Sequence, residues 1–238
     1  MAASPVWDLL RYSLSENGLE FIEEILVRLS RLVQDFPEIT SVDITLVVAA
    51  RERAAVRSSR ITVDHPPAPF PEHLAIRPYP REQEYDAVTE GGLRIFVRPI
   101  RPDDASLLSE LVNASSPASL YLRFFRPMKK LPPEMLARFT QIDYDRDIVL
   151  VALQKEGPRE RMVGVVRLMA DADVLKAEFA VLVGDPWQGR GVGAVLLQQA
   201  LKAAKIRGME SVWGVALPEN TTMLSLGRKL GFTVSRIP

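Results

Sequence analysis

The chain contains no cysteine and only two histidines, His65 and His73. Disulfides, zinc-thiolate sites and a thiol nucleophile are excluded by the first absence, and the second leaves few ligands for a metal centre. No metal is expected, and a catalytic base is expected to be a carboxylate. Charge of one sign is equally missing: thirty basic residues balance thirty acidic ones, and the longest lysine pair is Lys129-Lys130. No long-range field draws the chain to nucleic acid or to an anionic membrane. No uncharged apolar run approaches the roughly 20 residues that cross a bilayer, and the first residues lack a basic-then-apolar leader pattern. The expected location is cytoplasmic. What is present in quantity is apolar surface, 47% of 238 residues, enough for a substantial core.

Residues 7 to 34 place Leu19, Ile22, Ile25, Leu26, Leu29 and Val33 at helical spacing, with charges covering the other side and Pro37 beyond the end. Two β-rich runs follow, 41–50 and 55–63. Between Asp64 and Pro80 stand six prolines and both histidines, the composition of a stiff extended connector. The expected organisation is a small α/β unit over 1–64, a linker over 65–90 and a larger domain over 91–238. In that domain the patterns predict a strand at 93–98, a helix opened by Pro102-Asp103-Asp104, and helices near 118–125 and 133–141. An antiparallel meander over 148–154, 162–169 and 177–183 follows, then a helix over 191–206, a strand over 211–217 and a helix after Asn220.

The most informative stretch is Gln188-Gly189-Arg190-Gly191-Val192-Gly193, between a strand and an amphipathic helix. Glycines let backbone approach a ligand, and the unpaired amides of a helix start suit pyrophosphate oxygens. A dinucleotide-binding reading is weaker, because G-x-G-x-x-G belongs inside a parallel unit and the upstream sequence reads as consecutive short antiparallel strands, and no Lys-Ser or Lys-Thr follows to make a P-loop.

This turn resembles the Q/R-x-x-G-x-G/A acyl-CoA signature of the GNAT superfamily, with Gln188, Gly191 and Gly193 at its defining places. The order of elements around it, from Leu93 onward, is similar as well. The phrases 97–104, 121–125 (Tyr-Leu-Arg-Phe-Phe), 139–145, 177–181 and 219–223 resemble bacterial protein lysine acetyltransferases, in which a GNAT domain follows an NDP-forming acyl-CoA synthetase module. Residues 1 to 64 are similar to the end of that synthetase's ATP-grasp part. They depart from its Asp-Ile-Asn-Pro ending, having Asp43-Ile44-Thr45-Leu46, and are expected to be a remnant without ATP chemistry. The resemblance implies an α/β (α+β) GNAT fold with a mixed, mostly antiparallel sheet flanked by helices. It also implies acetyl-CoA as cosubstrate, and reactive lysines of proteins, acyl-CoA synthetases among them, as acceptors. Self-association into a homo-oligomer is left open, since the superfamily usually adds a strand beyond the place of Pro238, which a clipped product or another chain would account for.

By resemblance, Glu178 takes the place of the catalytic glutamate. Phe179, Ala180, Val181, Leu182 and Val183, the turn residues Gln188 to Gly193 including Arg190, and Asn220 and Met223 are the expected acyl-CoA contacts. The amides of 182–184 are expected to receive the acetyl carbonyl. Gly227 stands where many members carry a tyrosine acid, so no general acid is named. A lysine amine, with pKa about 10.4, is neutral in roughly one molecule per thousand at neutral pH, so removing its proton is the main chemical task. Asp143, Tyr144, Asp145 and Asp147 are candidates for an acidic mouth, Arg123, Arg126 and Lys129 for a 3′-phosphate site, and Phe124, Phe125, Met135 and Phe139 for core. Two other functions stay open: a non-catalytic CoA-binding regulatory module partnered with a synthetase, and a small-molecule amine acetyltransferase.

Overall fold

A computed structural model describes residues 15–49, 53–65, 78–156, 159–171 and 173–236. The expected helical start over 7–14, most of the proline-rich connector with His73, and the 157–158 turn lie outside them. The chain divides into two units at Pro78/Tyr79.

In the first unit, helix α1 (Glu16–Asp35) begins at Ser15, whose hydroxyl caps the Gly18 amide, and ends where Phe36 donates its N–H to Leu32 ahead of Pro37. Ile22 is buried on its apolar side, whereas Glu20, Glu23, Glu24, Arg28 and Arg31 are exposed. Strands β1 (Ile39–Ala49) and β2 (Arg53–Val63) pair antiparallel, with an irregularity between Thr45 and Leu46.

The second unit is built on a six-stranded sheet in chain order: β3 (Tyr85–Val88), β4 (Arg94–Pro99), β5 (Ile148–Glu156), β6 (Arg159–Ala170), β7 (Lys176–Val183) and β8 (Ser211–Trp213). All neighbours are antiparallel except β7 and β8. Helices α2 (Ala105–Ala114), α3 (Pro117–Phe124) and α4 (Pro133–Thr140) cover one face, and α5 (Val192–Ile206) the other; α6 (Thr221–Lys229) follows β8. The continuous apolar run of β5 reflects this: Ile148, Leu150 and Ala152 face the α5 core, while Val149, Val151 and Leu153 face the core under α2 and α3.

Two expectations need correction. Tyr85–Val88 falls inside the span 65–90 read as linker, yet it forms an edge strand against β4. Four residues beside a proline-rich stretch carry too short a pattern to be read alone. The strand expected over 211–217 pairs only over 211–213; beyond Trp213 it leaves β7, and an ideal Cβ on Gly214 would stand 2.5 Å from the Phe179 ring.

A buried ion pair fixes the front of the sheet. Arg98, 4% exposed, donates two hydrogen bonds of 2.7 and 2.6 Å to Asp104, 2% exposed. Asp104 also accepts the Arg101 amide at 2.7 Å, so the end of β4 is tied to the turn that starts α2. The phrase Arg98-Pro99-Ile100-Arg101-Pro102-Asp103-Asp104 thus has a structural purpose. Among the described residues no helix is long and apolar enough to cross a membrane.

Candidate active site

The parting of β7 from β8 creates the site. In an antiparallel ladder, alternate residues turn both N–H and C=O to the same neighbour. Gly184 donates its N–H to Val163 of β6, so Leu182 and Ala180, of the same parity, also face β6. Val181 and Val183 present their amides to the opposite edge, where β8 no longer pairs. This corrects the expectation that the 182–184 amides serve the carbonyl: those of Leu182 and Gly184 are spent inside the sheet, and Val183 with Val181 is directed to the cleft.

A cleft of about 370 Å³ fills this opening. One wall is β7 from Glu178 to Val183 and the start of α5; the other includes Val215, Asn220, Met223 and Leu226; α3 closes the end with Leu122 and Arg123. Of the residues singled out from sequence, Glu178 through Val183, Gln188, Gly189, Gly191, Val192, Gly193, Asn220 and Met223 all line it. Arg190 is exposed and does not. Its carbonyl instead packs on the β3–β4 turn, 2.9 Å from where a Cβ on Gly91 would stand.

The turn itself runs from a short 3₁₀ segment, Asp185–Trp187, into α5. Gly189 and Gly191 have φ of 68° and 86°, the left-handed region that glycine enters at no steric cost. Gly191 is the N-cap of α5 and offers no side chain, so no capping group competes for the first amides of the helix, which are available to an anion. Asp185 braces the turn. It accepts the Ser116 amide (2.7 Å) and the hydroxyls of Ser116 (2.8 Å) and Ser119 (2.7 Å). Gln188 then donates to Ser119 Oγ (2.9 Å) and to the Val183 carbonyl (3.0 Å). Burial pushes the Asp185 carboxyl up, but the hydrogen bonds from Ser119 and Ser116 outweigh it and hold the group below the ordinary carboxylate range. Gln188 therefore acts on the protein, locking α3 to the turn.

Asn220 caps α6 by accepting the Met223 amide at 3.1 Å and also lines the cleft. Several cleft residues escaped sequence reasoning, Lys229, Glu90 and Phe125 among them. Lys229 and Glu90, 139 positions apart, form an ion pair (2.6 and 2.7 Å) at the cleft. Phe125, a candidate for core, is instead 44% exposed, lines the cleft and holds a left-handed φ of 56° at the end of α3. Phe124, Met135 and Phe139 do pack in the core. Arg123 lines the Glu178 end of the cleft. Burial, then repulsion from Arg167, lowers its guanidinium to about 10, with Glu178 opposing the shift.

Other candidates are not brought to the cleft. Arg126 and Lys129 are exposed and away from its lining. The acidic mouth is a turn tied to the protein: Asp143 accepts the Asp145 amide, Asp147 pairs with Arg167 at 2.6 Å, and the Tyr144 hydroxyl donates to the Ile100 carbonyl. Gly227 is buried in α6 with Phe232 nearby. No tyrosine among the described residues lines the cleft.

A protein-family model, the acetyltransferase (GNAT) domain, matches residues 94–233. An acetyltransferase of Pseudomonas aeruginosa is 32% identical over 149 residues, 63% of this chain and 80% of that protein. The acetyltransferase Pat of Mycolicibacterium smegmatis is 29% identical over 138 residues, 57% of this chain; the match spans 40% of that longer protein. The crystal structure of the GNAT domain of S. lividans PAT is 34% identical with a TM-score of 0.61, covering 67% of this chain and 93% of that one.

Proposed function

Since the chain belongs to the GNAT acetyltransferase family, with more than half of its length in that domain, we propose that it transfers an acetyl group from acetyl-CoA to the ε-amine of lysine on protein substrates, with Glu178 as general base. One observation carries the reading: Glu178 and the glycine turn open onto one cleft, at the place where β7 parts from β8. The likeness to two relatives named Pat and the phrase-level resemblance to protein lysine acetyltransferases support a protein acceptor.

In this reading the first amides of α5 bind the pyrophosphate, and the free edge of β7 holds the pantetheine arm as a further strand would. Glu178 takes a proton from the incoming ammonium, and the neutral nitrogen attacks the thioester carbonyl. The Val181 and Val183 amides are the candidate donors to the oxygen that gains charge. The C–S bond then breaks, and the amine's second proton reaches the departing sulfur through water; a thiolate with pKa near that of cysteine leaves without a dedicated acid. Phe125, Arg123 and the Lys229–Glu90 pair border the same path. The first unit is, in the same proposal, a remnant of an ATP-grasp domain that tethers or packs, with an acyl-CoA synthetase among the acceptors.

The test is incubation with acetyl-CoA and lysine-bearing proteins, an acyl-CoA synthetase included, reading released thiol and acetyl-lysine by mass spectrometry. Both signals are expected. Thiol release on small amines with none on proteins contradicts the protein acceptor. Saturable acetyl-CoA binding with no thiol release contradicts catalysis and leaves a regulatory module.

A further inference from the structure

Arg123 sits in the last turn of α3 with its guanidinium 4.9 Å from the Phe124 ring. It lines the Glu178 end of the cleft and also a small adjoining cavity of about 30 Å³, bounded by Leu108, Ala180 and Leu182. Among the described residues it has no hydrogen-bond or ion-pair partner. The neighbouring carboxylates are otherwise placed: Asp147 is held by Arg167, and Glu178, which attracts Arg123, makes no ion pair with it. A second guanidinium borders the same cavity. Arg167, 8% exposed, keeps a buried Nε with no hydrogen-bond partner, although its Nη2 pairs with Asp147.

On this small, otherwise apolar cavity the Arg123 guanidinium lacks an anion, and Arg167, although paired with Asp147, keeps its Nε unsatisfied. A buried cation is stable only when paired, and the planar fork of arginine matches a carboxylate with two parallel hydrogen bonds. The cavity has room for about two waters or one carboxylate, given the roughly 10–15 Å³ that a water needs on this measure. Glu178, Ala180 and Leu182 share one side of β7, so an anion at Arg123 lies on the side of the sheet that carries the base.

We propose that Arg123 is a carboxylate receptor beside the reacting centre, so that one of the two reactants carries a carboxylate close to the bond being formed. The inference rests on the acyl-transfer reading of this cleft. The carboxylate has two sources: the far end of a dicarboxylic acyl group on the donor, or an acidic residue next to the acceptor lysine.

The experiment has an arm for each source. In the donor arm, succinyl-CoA and acetyl-CoA are compared on one neutral lysine peptide. In the acceptor arm, acetyl-CoA is used with peptides carrying Glu or Gln next to the lysine. Wild type is expected to favour the carboxylate member of one arm by about tenfold to a hundredfold in kcat/KM, the span of a charge-assisted hydrogen bond. Arg123→Gln brings that ratio to about one, and Arg123→Lys, keeping the charge, retains part of it. A ratio near one in both arms for wild type, or a preference equal in wild type and Arg123→Gln, overturns the proposal. If no pair reacts, the acyl-transfer reading fails by itself. Calorimetric Kd ratios for the two donors, and for the two peptides on CoA-filled protein, then decide the carboxylate question by the same criterion.

Discussion

Replacing Gly191 by alanine perturbs the turn in two separable ways. A non-glycine residue at φ 86° costs about 1–2 kcal/mol in backbone strain. Its Cβ also stands 3.2 Å from the Glu90 nitrogen and 3.3 Å from the Thr89 Cβ. These atoms yield little, because the β3–β4 turn is closed by hydrogen bonds from Gly92 to Thr89 (2.9 Å), Thr89 to Leu93 (2.9 Å) and Leu93 to Thr89 Oγ1 (3.1 Å). Overpacking there adds about 1–3 kcal/mol, so the whole cost is about 2–5 kcal/mol. Gly189→Ala is the matched control: φ is 68°, but nothing lies within 4 Å of the new Cβ, so strain alone applies. At about 2–4 °C per kcal/mol for a fold of this size, Gly191→Ala lowers Tm by about 4–20 °C and Gly189→Ala by about 2–8 °C. The first substitution also displaces the opening amides of α5, so its acetyl-CoA Kd rises more than tenfold in calorimetry, and the second variant is less affected. Equal melting temperatures and equal Kd values for the two variants refute the argument that the β3–β4 turn buttresses the glycine bend.

Three further outcomes are expected. Glu178→Gln lowers kcat/KM by about 10²–10⁴ near neutral pH while acetyl-CoA binding is kept, and the residual rate climbs about tenfold per pH unit as bulk solvent deprotonates the amine; steady-state thiol release across pH reads both effects. Asp104→Asn leaves Arg98 buried without its counter-charge and costs about 3–5 kcal/mol in urea unfolding. For Asp185 the folded carboxyl is held below its unfolded value, so its stabilisation is present above about pH 4 and is lost as pH falls through the lower folded value. Asp185→Asn accordingly lowers stability at neutral pH and flattens the loss below about pH 4, measured by urea titration at a series of pH values.

What could be read in advance follows from what is local. Helix α5, the glycine turn and the β5–β7 meander are carried by periodicity and by glycine positions within a few residues, and they stand where those patterns place them. The cleft needed distant partners. Lys229 meets Glu90 across 139 positions, and Gln188 meets Ser119 across 69, with nothing in either neighbourhood to announce it. Phe125 sits in an apolar phrase and reads as core, yet the left-handed turn at the end of α3 carries it to the cleft. The amides expected over 182–184 include the free one of Val183 but also two that the sheet consumes, because only pairing with β6 reveals which parity is free. The short β8 shows the same limit. Its apolar run continues past Trp213 through Val215, Ala216 and Leu217, but the Phe179 ring occupies the space beside Gly214, where pairing stops.

The central claim, that acetyl-CoA lies along the free edge of β7 with its pyrophosphate on the start of α5, is tested most directly by amide hydrogen exchange with and without saturating acetyl-CoA. Slowed exchange at Val181, Val183 and residues 191–194, with Leu182 and Gly184 unchanged, is the predicted result. Slowing confined to other segments, or no change at millimolar acetyl-CoA, contradicts it.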